Sequence, residues 1–233
     1  MAVFAIGDPH LSISTGKSMQ VFSGWSDYEQ RLEKNWRALV TDADTVVVAG
    51  DISWCMTMEA GLADFAFLHA LPGQKLLLKG NHDYWWATKS KADAFFAAHG
   101  LDSLHILHNN AYLADGLALC GTRGWFFDAE QDADRKVLLR EAGRLRASIA
   151  AAKETGGEPV VFLHYPPVSQ TQVCEEIYQV LVETGIHRCY YGHLHSYAHA
   201  AAFEGERDGI RFSLISADYL GFCPQLVRRD SAI

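Results

Sequence analysis

The feature that most constrains the fold of this chain is a regular alternation of short apolar runs with segments of helical pattern. Apolar runs of strand length occupy residues 2–6, 45–49 and 75–78. Segments with helix caps or helical spacing of apolar residues follow them at residues 26–40, 57–70 and 88–99. Strands that alternate with helices in this way are typical of parallel βαβ units. The sequence therefore predicts an α/β protein whose first part contains a parallel sheet.

Polar residues are predicted to cap these three helices at their N-termini. Ser26 and Glu29 have the spacing of a capping box, while Thr57 and Thr88 each precede a helical pattern. A side-chain oxygen at such a position accepts a hydrogen bond from a free N–H group of the first turn. We therefore expect helices to begin next to Ser26, Thr57 and Thr88.

The second part of the chain has more strands, and they are shorter. The predicted strands are residues 104–107, 111–114, 117–120, 159–163 and 188–191. The predicted helices are residues 132–153 and 173–183, and alternation over 198–203 and 210–215 predicts an antiparallel hairpin. Neither a repeat nor a linker interrupts the pattern, so we expect one domain over residues 1–233.

Composition restricts the classes of function. The net charge is −8 and no dense run of Lys and Arg occurs, so we expect no binding of extended nucleic acid, which needs a basic face. No apolar run is long enough to span a bilayer, and the N-terminus lacks the basic segment of a signal peptide. The five cysteines include no Cys-x-x-Cys pair, which is typical of a reduced, cytoplasmic protein.

Five strand ends carry the side chains that suggest chemistry. They are Asp8-x-His10, Gly50-Asp51, Gly80-Asn81-His82-Asp83, His164 and Gly192-His193-Leu194-His195. Ligands in open α/β sheets bind beyond the carboxyl ends of strands, so these groups are expected to meet. Their oxygen and nitrogen donors, without sulfur, suit Mn, Fe, Zn or Co. The sequence therefore predicts a metal site.

The spacing of these residues also suggests how metal ions would be shared. Side chains two apart on an extended segment point the same way, so Asp8 and His10 can reach one ion. His193 and His195 can do the same, or can reach two adjacent ions. Asp51 stands alone at its strand end and fits a bridging role, because one carboxylate can bind two cations. Asn81 would add a neutral carbonyl oxygen.

In their order and type these motifs resemble the calcineurin-like metallophosphoesterase family, whose pattern is D-x-H, G-D, G-N-H-D/E, H and G-H-x-H. The resemblance spans residues 8–195, and it departs from the usual pattern at Leu163, where glycine often precedes the histidine. Residues 50–54 and 81–86 also resemble a bacterial subgroup of predicted phosphohydrolases. The resemblance implies a four-layer α-β-β-α sandwich with two mixed sheets.

The resemblance further implies a role for each site residue and a centre with two divalent or trivalent metal ions. Asp8, His10 and His195 would bind the first ion, Asn81, His164 and His193 the second, and Asp51 both. His82 would act as general acid, and Asp83 would hold its imidazole. A hydroxide bridging the ions would attack the phosphorus of a small phosphomonoester or phosphodiester.

Alternatives remain open at the level of the substrate. A cyclic-nucleotide or other nucleotide phosphodiesterase is one, and a non-catalytic metal-binding scaffold is disfavoured because the ligand set and His82 are intact. Arg123 is a candidate for binding substrate phosphate, or else forms an ion pair. Four tryptophans near the motifs either stack a flat group or pack in the core, and they are Trp54, Trp85, Trp86 and Trp125. The oligomeric state does not follow from the sequence.

Overall fold

The computed structural model describes residues 1–125 and 132–229. The helices are α1 (Tyr28–Leu39), α2 (Leu62–Ala70), α3 (Lys89–Ala98), α4 (Asp132–Glu154) and α5 (Glu175–Glu183). The strands of the first sheet are β1 (Ala2–Ile6), β2 (Thr45–Ala49), β3 (Gln74–Leu78), β4 (Leu104–Ile106) and β11 (Gln225–Arg229). The strands of the second sheet are β5 (Ala111–Ala114), β6 (Leu117–Thr122), β7 (Glu158–Leu163), β8 (Arg188–Tyr191), β9 (Gly205–Arg207) and β10 (Ile210–Leu214). Short 3₁₀ helices span Met19–Val21 and Ser196–Ala201.

Both sheets are mixed, as the family resemblance implied. The first has the strand order β11-β1-β2-β3-β4, in which β1 to β4 are parallel and β11 is antiparallel to β1. The second has the order β5-β6-β7-β8-β10-β9, with a parallel centre and an antiparallel strand at each edge. The parallel pairs bring the carboxyl ends of successive strands to one edge of each sheet.

Three apolar layers hold the molecule together. Between the two sheets, Val47 and Leu78 of the first pack in one cluster with Phe162 of the second. Outside the first sheet a cluster around Trp36 includes residues of α1, α2 and α3. Outside the second, a cluster around Leu145 includes residues of α4 and α5. Helices thus cover the outer face of each sheet, which gives the expected four layers.

Two of the three predicted helix starts are wrong. α1 begins at Tyr28 rather than directly after Ser26, and the preceding Asp27 has a φ of 50° with no capping hydrogen bond from its side chain. α2 begins at Leu62, because residues 57–61 form a turn before it. Thr88 caps α3 as predicted, accepting a hydrogen bond from the backbone N–H of Lys91 at 3.4 Å.

The C-terminal part also differs from the sequence prediction. Residues 198–203 do not form a strand, since most of them belong to the 3₁₀ helix Ser196–Ala201. The antiparallel hairpin is made instead by β9 and β10. The strand β11 was not predicted, because its Gln-Leu-Val-Arg-Arg sequence has only two apolar residues. It pairs with β1 and forms the edge of the first sheet.

The strand ends that carry the motifs meet where the two sheets lie against each other. The backbone N–H of Gly7, after β1, donates to the carbonyl of Ile215, after β10, at 2.6 Å. The N–H of Gly192, after β8, donates to the carbonyl of His164, after β7, at 3.1 Å. The first bond joins a loop of the first sheet to one of the second, and the second bond joins two loops of the second sheet. In the part of the chain that the structure describes, no helix has the length and apolar character needed to cross a membrane.

Candidate metal centre and active site

Side chains from the two sheets form two adjacent groups of possible metal ligands. The groups are Asp8, His10 and His195, and Asp51, His164 and His193. Within each group the ligand atoms all lie within 4.8 Å of one another. All six residues belong to the set predicted from the sequence, and the structure brings every one of them to the same edge of the sandwich.

Four of these residues have a backbone conformation that is unusual for side chains other than glycine. Their φ angles are positive, at 56° for Asp8, 45° for His10, 49° for Asp51 and 73° for His193. The left-handed region costs roughly 1–2 kcal/mol for such residues and is enriched at functional sites. The turns after β1, β2 and β8 therefore hold their side chains in the site at some cost in stability.

Two glycines of the motifs are required for space around the carboxylates. A Cβ atom on Gly80 would overlap Oδ1 of Asp51, and one on Gly192 would overlap Oδ2 of Asp8. Each carboxylate also accepts a hydrogen bond from a backbone N–H group next to these glycines. Oδ1 of Asp51 accepts from the N–H of His82 at 2.8 Å. Oδ2 of Asp8 likewise accepts from the N–H of His193 at 2.8 Å. Backbone hydrogen bonds thus fix one oxygen of each carboxylate.

In the first group, the two imidazole rings face each other. Nε2 of His10 lies 3.3 Å from Nε2 of His195, which lies 3.9 Å from Oδ1 of Asp8. Oδ1 of Asp8 is buried and has no hydrogen-bond donor among the described residues. The ring of His10 stacks on Trp54 at a centroid distance of 4.9 Å. Packing and backbone contacts therefore leave these ligand atoms directed at each other.

In the second group, Asn81 joins the charged and imidazole ligands. Its Oδ1 lies 2.6 Å from Nε2 of His164. Oδ2 of Asp51 lies 3.6 Å from that same nitrogen and 3.7 Å from Nε2 of His10 in the first group. The Asp51 carboxylate thus lies beside ligand atoms of both groups.

Burial determines the charge state of the groups in the site. It raises the pKa of Asp8 to about 8 and also raises that of Asp51. It lowers the pKa of His164 to about 3, and it also lowers the pKa values of His10 and His193. Each shift disfavours the charged form of its group, because water is excluded. His195 departs from this pattern: although burial opposes it, the hydrogen bond to Asp218 and the nearby Asp8 carboxylate raise its pKa.

The donor set fits metal ions on two observations. Neither Asp8 nor Asp51 forms an ion pair with Lys or Arg in the described parts of the chain. Moreover, neutral His164 has one N–H, yet its Nδ1 lies 3.2 Å from the Ala49 carbonyl and its Nε2 faces Oδ1 of Asn81. One nitrogen lone pair therefore faces an oxygen lone pair, which a bound cation would stabilise.

His82 lies at the edge of the site but does not contact Asp83 as predicted. Nδ1 of His82 is buried without a hydrogen-bond partner among the described residues. The oxygens of Asp83 instead accept from the backbone N–H groups of Gly80 at 2.7 Å and Ile52 at 2.8 Å, and from the indole of Trp85 at 2.9 Å. The prediction that Asp83 holds the imidazole of His82 is wrong: Asp83 joins the loops after β2 and β3.

Arg123 is held by contacts within the second sheet and α4. Its Nη2 lies 3.7 Å from Oε1 of the buried Glu141, and its guanidinium lies over the ring of Trp125. Its backbone carbonyl accepts from the N–H groups of His164 and Tyr165 at 3.2 and 2.9 Å. The ion pair foreseen as the alternative is present, and contact of Arg123 with substrate phosphate stays a prediction.

The tryptophans near the motifs serve mainly to pack the loops. Trp85 is buried and donates to Asp83, and Trp86 packs against the cluster outside the first sheet. Trp54 contacts His10 on its ring, and the ammonium of Lys17 lies 3.4 Å from the ring centroid. The structure thus gives Trp85 and Trp86 the core-packing role that the sequence left open. Trp54 packs against the same cluster but also lines a cavity beside the site, so stacking of Trp54 on a flat group stays a prediction.

One residue that sequence reasoning missed contacts a predicted ligand directly. Oδ1 of Asp218 accepts from Nδ1 of His195 at 2.9 Å, and Oδ2 accepts from the N–H of Ser196 at 3.0 Å. The side chain of His199 also lies within 3.2 Å of Oδ2. Asp218 follows the second sheet in a segment without a motif, so only its proximity in three dimensions reveals it.

The fold and the clustered ligands define a metal-dependent phosphohydrolase. The chain belongs to the calcineurin-like phosphoesterase family, whose sequence model matches residues 1–197. Members of this family use divalent metal ions to hydrolyse phosphoesters. A comparison with curated proteins gives no match.

Solved structures share the fold at low sequence identity. One is the phosphopantetheinyl hydrolase PptH from Mycobacterium tuberculosis, with a TM-score of 0.55 and 14% identity over 100% of this chain and 98% of that one. Another is a protein of unknown function, AQ665 from Aquifex aeolicus, with a TM-score of 0.52 and 15% identity over 97% and 95% of the two chains. At this identity the likeness supports the fold alone.

Proposed function

We propose that this chain is a phosphoesterase with two metal ions. Asp8, His10 and His195 would hold one ion, and Asn81, His164 and His193 the other. The observation that carries the proposal is the position of Asp51, whose Oδ2 lies 3.7 Å from Nε2 of His10 and 3.6 Å from Nε2 of His164. A carboxylate between two such groups is suited to bind both ions.

Bound metal ions would supply electrostatic stabilisation of the phosphoryl group and a more acidic water molecule at neutral pH. The chain itself keeps His10, His164 and His193 neutral by burial, so that their lone pairs are free to bind. It also fixes Asp8 and Asp51 by backbone N–H groups, so that one carboxylate oxygen of each remains available. Ligands held in this way require little reorganisation when a cation binds.

His82 is the proposed general acid, which would donate a proton to the leaving oxygen of the ester. Its ring contacts Trp54 at a centroid distance of 4.6 Å, and its backbone N–H binds Asp51. It also lines the same cavity as His193 and His195. A proton donor at the edge of a metal site, not needed as a ligand, is well placed to protonate an alkoxide or phenoxide as the bond breaks.

The variant His82→Ala tests this role. We expect turnover of phenyl phosphate to fall by about 10²–10⁴-fold, the usual contribution of general acid catalysis, with metal content unchanged. His187→Ala is the matched control, since the His187 side chain is exposed outside the site and its Nδ1 lies 3.3 Å from the Gly209 carbonyl. Unchanged turnover in His82→Ala would contradict the role, and lost metal would make His82 a ligand.

The variant Asp51→Asn tests the shared carboxylate. An amide has one oxygen and no charge, so we expect loss of both bound metal and activity. Metal content by elemental analysis is the direct readout. Two ions bound at full occupancy in Asp51→Asn would contradict the bridge.

A panel of candidate substrates would distinguish a phosphomonoesterase, a nucleotide phosphodiesterase and a non-catalytic scaffold. Phosphomonoesters, cyclic nucleotides and bis-aryl phosphates, each with Mn²⁺, Zn²⁺, Fe²⁺, Co²⁺ and Mg²⁺, separate a monoesterase from a nucleotide phosphodiesterase. A phosphopantetheine ester belongs in the panel because the mycobacterial structure bears that name. Metal binding without hydrolysis of any member would favour a non-catalytic scaffold.

A further inference from the structure

A cavity of about 380 Å³ opens directly beside the metal centre. His82, His193 and His195 line its inner end. Its outer walls come mainly from the two 3₁₀ segments and nearby residues, and they are Met19, Phe22, Trp25, Ser196, Tyr197 and Ala198. His10 and Trp54 also line it. Its volume lies in the roughly 300–1,000 Å³ range of small-molecule sites. A group that enters the cavity therefore reaches the histidines of the site.

The outer walls are apolar and carry two aromatic side chains in solvent. Phe22 is 53% exposed and Tyr197 is 93% exposed, whereas Met19 and Trp25 are buried. None of the described residues that line the cavity carries a carboxylate, an ammonium or a guanidinium group. Exposed aromatic side chains that flank an apolar pocket gain buried area when a ligand fills it.

The charge of the walls restricts the occupant. A charged group would lose its hydration against the walls formed by Phe22, Trp25 and Tyr197, which offer no ionic partner, and this is unfavourable. An uncharged apolar group would instead cover Phe22 and Trp25. The occupant must also be attached to a phosphoryl group, because the inner end of the cavity consists of the site histidines. This combination describes the organic part of a phosphoester.

We propose that the cavity binds the uncharged, apolar organic group of the phosphoester substrate, an inference that rests on the proposed phosphoesterase function. Phe22 and Tyr197 determine specificity by packing against that group. The substrate is thus a small-molecule ester with a bulky apolar or aromatic alcohol. Phosphorylated peptides and esters with charged alcohols are poor substrates, since their charges would lie against apolar walls.

Three aryl esters with phenolic leaving groups test the proposal: phenyl phosphate, 2-naphthyl phosphate and phosphotyrosine, each also as its methyl diester. We expect kcat/KM to be highest for the naphthyl ester and at least about tenfold lower for phosphotyrosine, because the charged groups of phosphotyrosine would lie against apolar walls. In Phe22→Ala and Tyr197→Ala the ratio of naphthyl to phenyl kcat/KM falls toward one.

The control is Leu113→Ala, because Leu113 is 58% exposed on β5 and does not line the cavity. The ratio of naphthyl to phenyl kcat/KM and the turnover rates of this variant should equal those of the unmodified protein. Binding of 2-naphthylmethylphosphonate, followed by tryptophan fluorescence, is a second readout that needs no turnover. It should weaken in Phe22→Ala and not in Leu113→Ala.

Two failures are distinguishable. If none of the esters is hydrolysed and the phosphonate does not bind, the phosphoesterase function itself fails. If the esters are hydrolysed but the naphthyl preference is absent, or survives in both Phe22→Ala and Tyr197→Ala, the cavity does not hold the organic group. Phosphotyrosine as the best substrate would also overturn the proposal.

Discussion

Nδ1 of His195 donates a hydrogen bond to Oδ1 of Asp218 across 2.9 Å. When the imidazole proton is on Nδ1, Nε2 of His195 carries a lone pair. This lone pair is directed toward His10 and Asp8. Although burial opposes it, the bond with His195 lowers the pKa of Asp218, so the carboxylate stays ionised. A carboxylate behind a ligand histidine fixes its tautomer and increases its basicity. Asp218 is therefore a positioning residue for the proposed metal centre.

Asp218→Asn is predicted to weaken metal binding. We expect the affinity for Mn²⁺ or Zn²⁺ to fall by about 10–100-fold, as for other partners of ligand histidines, because the amide cannot match the charge behind His195. Calorimetric titration of the metal-free protein measures it. Asp208→Asn is the matched control, since Asp208 accepts from the Tyr178 hydroxyl at 2.7 Å in the β9–β10 turn. Unchanged affinity in Asp218→Asn would show that the bond does not support the ligand.

The sequence predicts the metal ligands but not the residues that position them, and the reason is physical. Asp8, Asp51 and His164 follow buried strands, and the parallel arrangement of those strands brings their ends together. Asp218 lies after β10, beyond the matched residues 1–197, and no spacing relates it to His195. Its role depends on how the loop after β10 folds back, which local pattern does not encode.

The distinction between local sequence pattern and tertiary contact also explains where the predicted fold differs from the structure. The buried strands β1, β2 and β3 were predicted within one residue of their ends, since each is a continuous apolar run. The strand β11 was missed because its stability comes from pairing with β1 rather than from its own residues. The family resemblance implies that Asp83 holds His82, yet the oxygens of Asp83 accept hydrogen bonds from the N–H groups of Ile52 and Gly80 instead.

Gly80→Ala is predicted to displace Asp51 and so to reduce metal content. The added Cβ would overlap Oδ1 of Asp51, and backbone atoms of that residue leave no space for adjustment. Elemental analysis should show fewer than two ions per chain, with activity reduced in parallel. Gly143→Ala in α4 is the control, since a Cβ there meets no atom within 4 Å. It should raise the free energy of unfolding by about 0.5–1 kcal/mol. Full metal occupancy in Gly80→Ala would contradict the crowding argument.

Asp83→Asn is predicted to lower stability rather than to act through His82. The amide nitrogen would face N–H donors that now bind the carboxylate, so we expect a loss of about 1–3 kcal/mol in the free energy of unfolding. Denaturant unfolding measures the loss. His82→Ala provides the contrast, because it should reduce turnover with little change in stability. Equal stability of Asp83→Asn and the unmodified protein would exclude an anchoring role for Asp83.

Lys75→Met is predicted to change how stability depends on pH. Lys75 is fully buried in β3, and its ammonium donates to the carbonyls of Leu71 and His69 and to Oγ of Ser103. Burial lowers its pKa from 10.5 to about 8. Between these two values the unfolded chain binds the proton and the folded chain does not, so the free energy of unfolding rises with pH.

The expected contribution of Lys75 is a gain of about 3 kcal/mol between pH 8 and pH 10.5, which is lost again as the pH falls. Because tyrosines also titrate in this range, the measured quantity is the difference in unfolding free energy between Lys75→Met and the unmodified protein. That difference should shift by this amount in favour of the unmodified protein as the pH rises. Lys34→Met on the exposed face of α1 is the control, and its difference should stay constant. A constant difference for Lys75→Met would mean that its carbonyl partners stabilise the ammonium as well as water does.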